Sequence, residues 1–215
     1  MSKYIELSNP HRKKHFDFFK NMDQPHFNIC ANVEISGFLD FIKRNGYSFT
    51  PTMVYFLSKA ANEITEFRWR IRGEQILEHP AVHPSFTVYT EVADVFSFCT
   101  VDYYDNFFTF LEKTLAEIDK MLTEPSFEDD EHRDDFLFMS SIPWVSFTSF
   151  AHAMHYTPAD AIPRITWGKV FKEGAKNLMP LSVQAHHAVV DGRHTGKYFE
   201  LFQAYMNEPS AFLNS

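Results

Sequence analysis

The sequence contains no run of about 20 apolar residues, which is the length that a transmembrane helix needs. Its first ten residues lack the apolar core that a secretory signal peptide carries. Only two cysteines occur, Cys30 and Cys99, and they lie in unrelated contexts. A disulfide scaffold is therefore excluded. We expect two free thiols in a cytoplasmic protein that has no membrane partner.

An excess of positive charge is also missing. The chain has 20 Lys and Arg against 28 Asp and Glu, so its net charge is −8, and no long basic patch occurs. We therefore expect no nucleic-acid partner. Repeats, low-complexity runs and Gly/Ser linkers are absent, and the acidic stretch at 124–135 is short enough to be a solvated loop. Residues 1–215 are predicted to form a single domain.

Aromatic residues are abundant. The 24 Phe among 215 residues require a packed interior, a ligand pocket or a subunit interface to cover them. Hydrophobic residues make up 45% and charged residues 22% of the chain, which is an ordinary balance for a globular protein. A chain of this length buries on the order of 70% of its unfolded surface.

Five segments carry helix signals and eight carry strand signals. Pro10 after Asn9 marks a helix start, and Ser36 is expected to cap a second helix that Gly46 ends. The predicted helices are 11–22, 37–45, 52–66, 104–122 and 193–206, and the predicted strands are 27–34, 75–78, 85–91, 95–101, 136–141, 145–150, 164–171 and 178–188. Since helices and strands mix without strict alternation, they predict an α/β (α+β) two-layer sandwich with a mixed β-sheet.

The most informative segment is 180–192, an apolar strand that runs into His186 and His187 and then into Asp191 and Gly192. Adjacent residues on an extended backbone point to opposite faces, so at most one of the two histidines faces a given site. A neutral imidazole is suited to take a proton from a hydroxyl near pH 7, provided that its other nitrogen is held by a fixed partner.

Three other interpretations of this segment stay open. The histidines can be a satisfied, half-buried pair at the end of a strand. His187, Asp191 and His194 have a spacing that can hold a metal on a helix, although Gly192 interrupts it and no cysteine contributes. Asp191 can also be no more than the cap of the helix that follows.

The pattern His-His-x-x-x-Asp-Gly resembles the signature of CoA-dependent acyltransferases, and the wider chain resembles the chloramphenicol O-acetyltransferase family. Further resemblances occur along most of the chain, at 11–16, 49–51, 66–68, 83–88, 96–97, 143–150 and 178–189. This resemblance implies a two-layer α/β sandwich that assembles as a homotrimer. It also implies acetyl-CoA as a co-substrate, with no permanently bound cofactor and no metal.

The resemblance assigns a role to each matching residue. It makes His187 the general base that deprotonates an acceptor hydroxyl, which then attacks the acetyl thioester directly. It pairs Asp191 with Arg12 to hold the catalytic turn, and such a pair suits the forked geometry of Arg. Ser140 would donate a hydrogen bond to the oxyanion, and Thr166 would help to hold a water in the site.

The resemblance also assigns the residues that contact CoA and those that line the acceptor pocket. Trp144 is expected to line the CoA channel, and Lys169 remains as a basic contact. Ser48 replaces a Lys that the family often has, and Thr50 and Val170 replace aromatic residues. Between subunits, an acceptor pocket for a small-molecule alcohol is expected to be lined by Phe19, Phe27, Phe96, Phe98, Phe127, His152 and Arg164.

Several pocket positions depart from the family pattern. A Phe at 98 takes up volume, and His152, Met154 and Arg164 stand where aliphatic residues are usual. Arg164 would suit a polar or anionic acceptor, unless these side chains turn outward. The acceptor is therefore either the 3-hydroxyl of chloramphenicol or a different, more polar alcohol. Two further hypotheses stay open, namely a dihydrolipoyl acyltransferase-like catalytic domain and a non-catalytic CoA-binding protein.

Overall fold

The helices of the computed structural model follow the predicted pattern, with shifted ends. The structure describes residues 1–91, 94–127 and 133–213, so the middle of the acidic segment, 128–132, lies outside the described residues. The helices are α1 (Pro10–Lys20), α2 (Ser36–Asn45), α3 (Phe49–Asn62), α4 (Phe107–Thr123) and α5 (Gly192–Asn207). Two 3₁₀ turns lie at Thr65–Arg68 and Pro209–Phe212.

The helix caps explain most of these ends. The Asn9 side chain accepts hydrogen bonds from the first turn of α1, as predicted, and Gly46 ends α2 in the left-handed conformation at φ 69°. The prediction that Ser36 caps α2 is wrong: Ile35 holds the cap position, and the Ser36 hydroxyl instead accepts from the backbone N–H of Asn177 at 3.0 Å. Asn106 caps α4 and moves its start three residues beyond the predicted one.

Within the described ranges, ten strands form two sheets. They are β1 (Lys3–Ile5), β2 (His26–Glu34), β3 (Trp69–Arg72), β4 (Gln75–Glu78), β5 (His83–Thr90), β6 (Val95–Thr100), β7 (Phe136–Ile142), β8 (Arg164–Gly168), β9 (Phe171–Glu173) and β10 (Lys176–His186). The small sheet has the order β1-β4-β3, and the large one has the order β2-β10-β8-β7-β5-β6, with β9 beside β10. Since β7 pairs parallel with both β5 and β8 while the other pairs are antiparallel, the large sheet is mixed.

Three strand predictions need correction. The segment 145–150 forms no strand; it lies across the end of β8, where the Val145 carbonyl accepts from the backbone of Lys169. The predicted strand 164–171 is broken at Lys169 and Val170 into β8 and β9. The strands β1 and β3 are absent from the prediction; both are short and partly polar, and both pair with β4.

The helices cover one face of the large sheet. Helix α4 contacts β5 and β6, α5 contacts β2, and α2 contacts β10. Helix α3 lies between α4 and α5 and is buried on every side from Pro51 to Ala61. This is the expected two-layer sandwich, so the predicted fold class is confirmed.

Aromatic rings fill the layer between the helices. The Tyr55 ring lies 5.2 Å from Phe56, 5.0 Å from Phe107 and 5.6 Å from Phe110, centroid to centroid. Such edge and tilted contacts contribute beyond the apolar area that they bury. The two cysteines are free, as predicted. In the described residues, no helix has the length and apolar character to cross a membrane.

Candidate active site

The turn after β10 holds His187. Its backbone N–H donates to the carbonyl of Pro25 at 2.8 Å, and the Val190 N–H donates to the carbonyl of His186 at 3.0 Å. The His187 Nδ1 atom lies 3.2 Å from the Val190 carbonyl oxygen. Because a carbonyl only accepts, this contact places the proton on Nδ1 and leaves Nε2 as the basic nitrogen.

Aromatic rings surround the His187 imidazole. Phe19 stacks on it at 4.0 Å with an interplanar angle of 21°, and Phe27 lies at 4.7 Å. The sequence predicts Phe19 and Phe27 in the acceptor pocket, and the structure places both rings against this imidazole. His15, to which the sequence assigns no role, is a further neighbour at 5.3 Å edge-on. The sequence could have indicated this position of His15, because His15 and Phe19 lie four residues apart and therefore on one face of α1.

Arg12 contacts two residues of the turn between β10 and α5. Its Nη2 donates to the Val189 carbonyl at 2.6 Å, whereas its Nη1 lies 3.8 Å from the Asp191 carboxylate. The expected forked pair between Arg12 and Asp191 is therefore corrected: the short contact is to the turn itself, and the ion pair is loose. The reason is that the Asp191 carboxylate faces the first turn of α5 and accepts from the N–H groups of Arg193 and His194 at 2.9 and 3.3 Å.

His194 completes this cap. Its Nδ1 accepts from the Asp191 backbone N–H at 3.1 Å, and its Nε2 lies 3.4 Å from a Glu66 carboxylate oxygen. Burial by itself raises the pKa of Asp191, but the charge of His194 and the backbone hydrogen bonds outweigh it and lower that pKa. The bond to His194 likewise lowers the pKa of Glu66.

The spacing of His187, Asp191 and His194 suggested a metal site, and Glu66 had no predicted role. The structure gives His194 and Glu66 a place in the cap of α5 instead. No group of three or more His, Cys, Asp or Glu side chains in the described residues is placed to hold a metal ion.

His186 points away from this turn into the protein. Only 1% of its surface is exposed, and its Nδ1 accepts from the backbone N–H of Ala188 at 3.2 Å. Burial, together with the neighbouring His26, lowers the pKa of His186 to about 3. It is therefore a neutral, structural histidine at pH 7, which agrees with the expectation that only one of the pair faces the site.

A separate cavity of about 780 Å³ lies beside β5, β6, β7 and β8. Five residues predicted for the site line it, namely Phe96, Phe98, Ser140, His152 and Arg164. The ring of Phe127 packs on Phe96 and Phe98 at 5.1 and 4.6 Å, so this predicted residue lies next to the cavity as well. His187 is not among the described residues that line it.

A row of hydroxyl groups crosses the sheet at this cavity. The strand register pairs Ser140 with Thr166 and Thr166 with Ser182, so the three side chains share one face. The Thr166 Oγ1 atom lies 2.8 Å from His152 Nε2. In the described parts of the chain, the Ser140 hydroxyl has no hydrogen-bond partner.

The charge of Arg164 is neutralised inside the protein. Its Nη1 and Nη2 donate to the two carboxylate oxygens of Asp160 at 2.9 and 2.6 Å, and Nη1 also donates to the Ile162 carbonyl. The same pair lowers the pKa of Asp160 against the opposing effect of burial. The Arg164 fork, which is expected to suit a polar or anionic acceptor, is therefore already occupied by Asp160.

The two residues predicted to contact CoA, Trp144 and Lys169, lie near each other beside the end of β8. The Trp144 side chain is 69% exposed, and the next residue, Val145, accepts from the backbone of Lys169 at 2.9 Å. Ser146 Oγ donates to the Lys169 carbonyl at 2.7 Å. Gly168 permits this approach, since a Cβ there would lie 2.8 Å from the Val145 carbonyl oxygen and 2.7 Å from the Pro180 ring.

Comparison with known sequences is consistent along almost the whole chain. A family model described as chloramphenicol acetyltransferase matches residues 2–203. Chloramphenicol acetyltransferases from Escherichia coli and Proteus mirabilis are 32% and 33% identical to the chain over 204 residues. These matches span 95% of the chain and 93% and 94% of the two relatives.

Solved structures show the same fold. A chloramphenicol acetyltransferase superposes over 100% of both chains with a TM-score of 0.81 at 23% identity. A dihydrolipoamide acetyltransferase from Azotobacter vinelandii has a TM-score of 0.70 at 15% identity, covering 94% of this chain and 88% of its own. The predicted family is thus confirmed: the chain belongs to the chloramphenicol acetyltransferase family and is an acyltransferase of that type.

Proposed function

We propose that the protein transfers an acetyl group from acetyl-CoA to the hydroxyl of a small-molecule alcohol, with His187 as the general base. The observation that carries the proposal is the contact of His187 Nδ1 with the Val190 carbonyl in a chain of this family, because it leaves Nε2 as the nitrogen that can accept a proton. Phe19 and Phe27 hold the plane of the ring. The base therefore needs no rearrangement before it accepts a proton.

The reaction proceeds in two steps. His187 Nε2 takes the proton of the acceptor hydroxyl while that oxygen forms a bond to the thioester carbonyl carbon. The tetrahedral intermediate then collapses, the carbon–sulfur bond breaks, and the proton passes from His187 to the departing CoA thiolate. The products are the acetyl ester and CoA, and no covalent acyl-enzyme is required.

Ser140 is the proposed oxyanion donor. Its hydroxyl lines the cavity and has no partner in the described chain, so it is free to donate to an oxygen that becomes negative. The neighbouring Thr166 hydroxyl, bonded to His152, lines up with it across β7 and β8. Arg12 and Asp191 act as positioning residues that hold the turn of His187.

We further propose that the site is assembled between copies of the chain in a homotrimer. His187 lies with α1 and β2, whereas Ser140 lies in a cavity that His187 does not line. A second copy would bring its base to the mouth of this cavity. The exposed rings of Phe96 and Phe127, at 41% and 58% exposure, would be covered in such an interface.

Acetyl-CoA is the proposed co-substrate, and no permanently bound cofactor is required. Trp144 and Lys169, which lie near each other beside the end of β8, would contact it. Trp144 would do so through its exposed ring and Lys169 through its positive charge. The reaction would take place in the cytoplasm, where Cys30 and Cys99 remain thiols. The whole chain, 1–215, would act as one domain.

Chloramphenicol is the first acceptor to test, and a more polar alcohol is the second. The phenylalanines of the cavity favour an aryl group, while His152 adds a polar wall. The hypothesis of a dihydrolipoyl acyltransferase is supported only by likeness of fold, at 15% identity.

The deciding experiment measures release of CoA thiol from acetyl-CoA in the presence of chloramphenicol. The variants are His187→Ala and, as a matched control on the exposed face of α1, His11→Ala. We expect rapid release by the wild-type protein and by the control, and a large loss in His187→Ala. Near-normal turnover in His187→Ala would contradict the proposal, and light scattering on the same samples would test for three copies.

A further inference from the structure

One histidine in the cavity is not needed by the proposed chemistry. His152 sits in the segment between β7 and β8, and both its ring and its backbone are held by hydrogen bonds. Its Nε2 contacts Thr166 Oγ1 at 2.8 Å, and its backbone N–H donates to Gln184 Oε1 at 3.3 Å. The ring of Phe150 lies edge-on at 4.9 Å. These contacts fix the imidazole on the cavity wall.

His152 lies close to where the oxyanion would form. Ser140 and Thr166 are register partners on adjacent strands, which lie about 4.8 Å apart, and His152 bonds to Thr166. The Thr166 hydroxyl therefore links the imidazole of His152 to the position next to Ser140. A group of the acceptor beside its reacting hydroxyl would meet this ring.

His152 presents an unused nitrogen to the acceptor. Its Nδ1 has no partner in the described chain, while Nε2 is engaged by Thr166. The ring is neutral at pH 7, because burial and then the charge of Arg164 lower its pKa to about 4. A neutral ring nitrogen in a desolvated wall favours a partner that forms a hydrogen bond and rejects one that leaves it unpaired.

Arg164, the only Lys or Arg among the described residues that line the cavity, is paired. Asp160 occupies both ends of the Arg164 guanidinium, and that guanidinium lies over the Phe138 ring at 5.4 Å. The guanidinium is thus not free to attract a carboxylate or phosphate. The cavity combines apolar rings with hydroxyl groups, the exposed side chain of His155 and the fixed imidazole of His152.

We propose that His152 is a specificity-determining residue that reads an uncharged oxygen next to the reacting hydroxyl, so that the enzyme prefers diols and hydroxy ethers to simple alcohols. This inference rests on the proposed acetyl transfer and names the acceptor class of the same cavity. His152 would act by hydrogen-bonding the second oxygen through Nδ1, and it would not take part in proton transfer at the reacting hydroxyl.

The test compares two alcohols that differ by one hydroxyl, 1-phenylpropane-1,3-diol and 3-phenylpropan-1-ol. The measured quantity is the ratio of kcat/KM for the diol to kcat/KM for the mono-alcohol, with acetyl-CoA saturating. We expect the wild-type protein to favour the diol roughly 10- to 100-fold. His152→Leu should bring this ratio close to one, mainly through a higher KM for the diol.

A conservative variant separates recognition from folding. His152→Gln retains an uncharged hydrogen-bonding group on a side chain of similar reach, so it should keep most of the preference for the diol. If His152→Leu does not fold, a loss of preference in His152→Gln, relative to wild type, would overturn the inference. Retention of the full preference in a folded His152→Leu, or an equal loss of activity on both alcohols, would also overturn it.

The two proposals fail in different ways. If the wild-type protein acetylates neither alcohol and does not acetylate chloramphenicol, the proposed function is overturned and this inference with it. If the wild-type protein acetylates both alcohols at equal efficiency, the proposed function stands and only the role of His152 is overturned.

Discussion

The guanidinium of Arg12 donates a 2.6 Å hydrogen bond to the carbonyl oxygen of Val189. This bond joins α1 to the turn between β10 and α5, two residues after His187. The charge of Asp191 lies farther away, at 3.8 Å from Arg12. The turn is therefore held mainly by a charge-assisted bond to its own backbone, which is among the stronger hydrogen bonds in proteins.

A first prediction follows from the difference between these two contacts of Arg12. Arg12→Gln should lower kcat more than Asp191→Asn does, because Asn still caps α5 whereas Gln loses the charged donor to Val189. We expect roughly a tenfold or greater loss of kcat in Arg12→Gln, with the KM for acetyl-CoA nearly unchanged. Steady-state kinetics on both variants, with thermal unfolding as a check of folding, measures this. The opposite order of effects would show that the Asp191 ion pair dominates.

The oxyanion assignment makes a second prediction. Ser140→Ala should lower kcat by roughly 10²–10³-fold while KM changes little, since the hydroxyl is used mainly in the transition state. Ser141→Ala is the matched control, because successive residues of β7 point to opposite faces. Equal effects of the two substitutions on kcat would rule out a specific role for Ser140.

A third prediction concerns the acetyl-CoA end. Gly168→Ala places a Cβ against the Val145 carbonyl and the Pro180 ring, so the segment that carries Trp144 must shift. We expect the KM for acetyl-CoA to rise several-fold, with the KM for the acceptor less affected. Gly196→Ala in α5 meets no atom within 4 Å and should raise stability by about 1 kcal/mol through helix propensity. An unchanged KM for acetyl-CoA in Gly168→Ala would show that the segment carrying Trp144 does not contribute to CoA binding.

Acid stability gives a fourth prediction. His186 has a pKa of about 3 in the folded protein, against 6.5 for an ordinary histidine. Between these values the unfolded chain binds a proton that the folded chain does not, so the free energy of unfolding should fall as the pH drops from about 6.5 toward about 3. His26 and His152, with pKa values of about 4, act in the same direction.

Urea unfolding at several pH values between about 7.5 and about 5 measures this slope. His186→Asn, whose side-chain oxygen can accept from the Ala188 N–H in place of Nδ1, should reduce the slope by about one proton, whereas His11→Asn on the exposed face of α1 should not. A wild-type free energy of unfolding that stays flat over this range would contradict the assignment of neutral buried histidines.

Local sequence signals predicted much of the fold. The Asn9 cap, the Gly46 stop and the apolar spacing of the helices were sufficient because caps and periodicity act within a few residues. The strand prediction for 145–150 was wrong because this segment packs over the end of β8 and does not pair in a sheet. The strand β1 was missed because its partner, β4, is distant in the sequence, and β3 because two of its four residues are Arg.

Residue types at fixed spacing were sufficient to predict the family and the free thiols, whereas the choice of His187 as the base rests on the resemblance and stays a prediction. The meeting of side chains from distant segments became visible only in the folded chain. Asp160 takes the charge of Arg164, and His152 joins Thr166, across loops that no periodicity describes. Hydrogen bonds of this kind depend on the path of the chain in space, and here they occupy a guanidinium that the sequence alone left free to bind an acceptor.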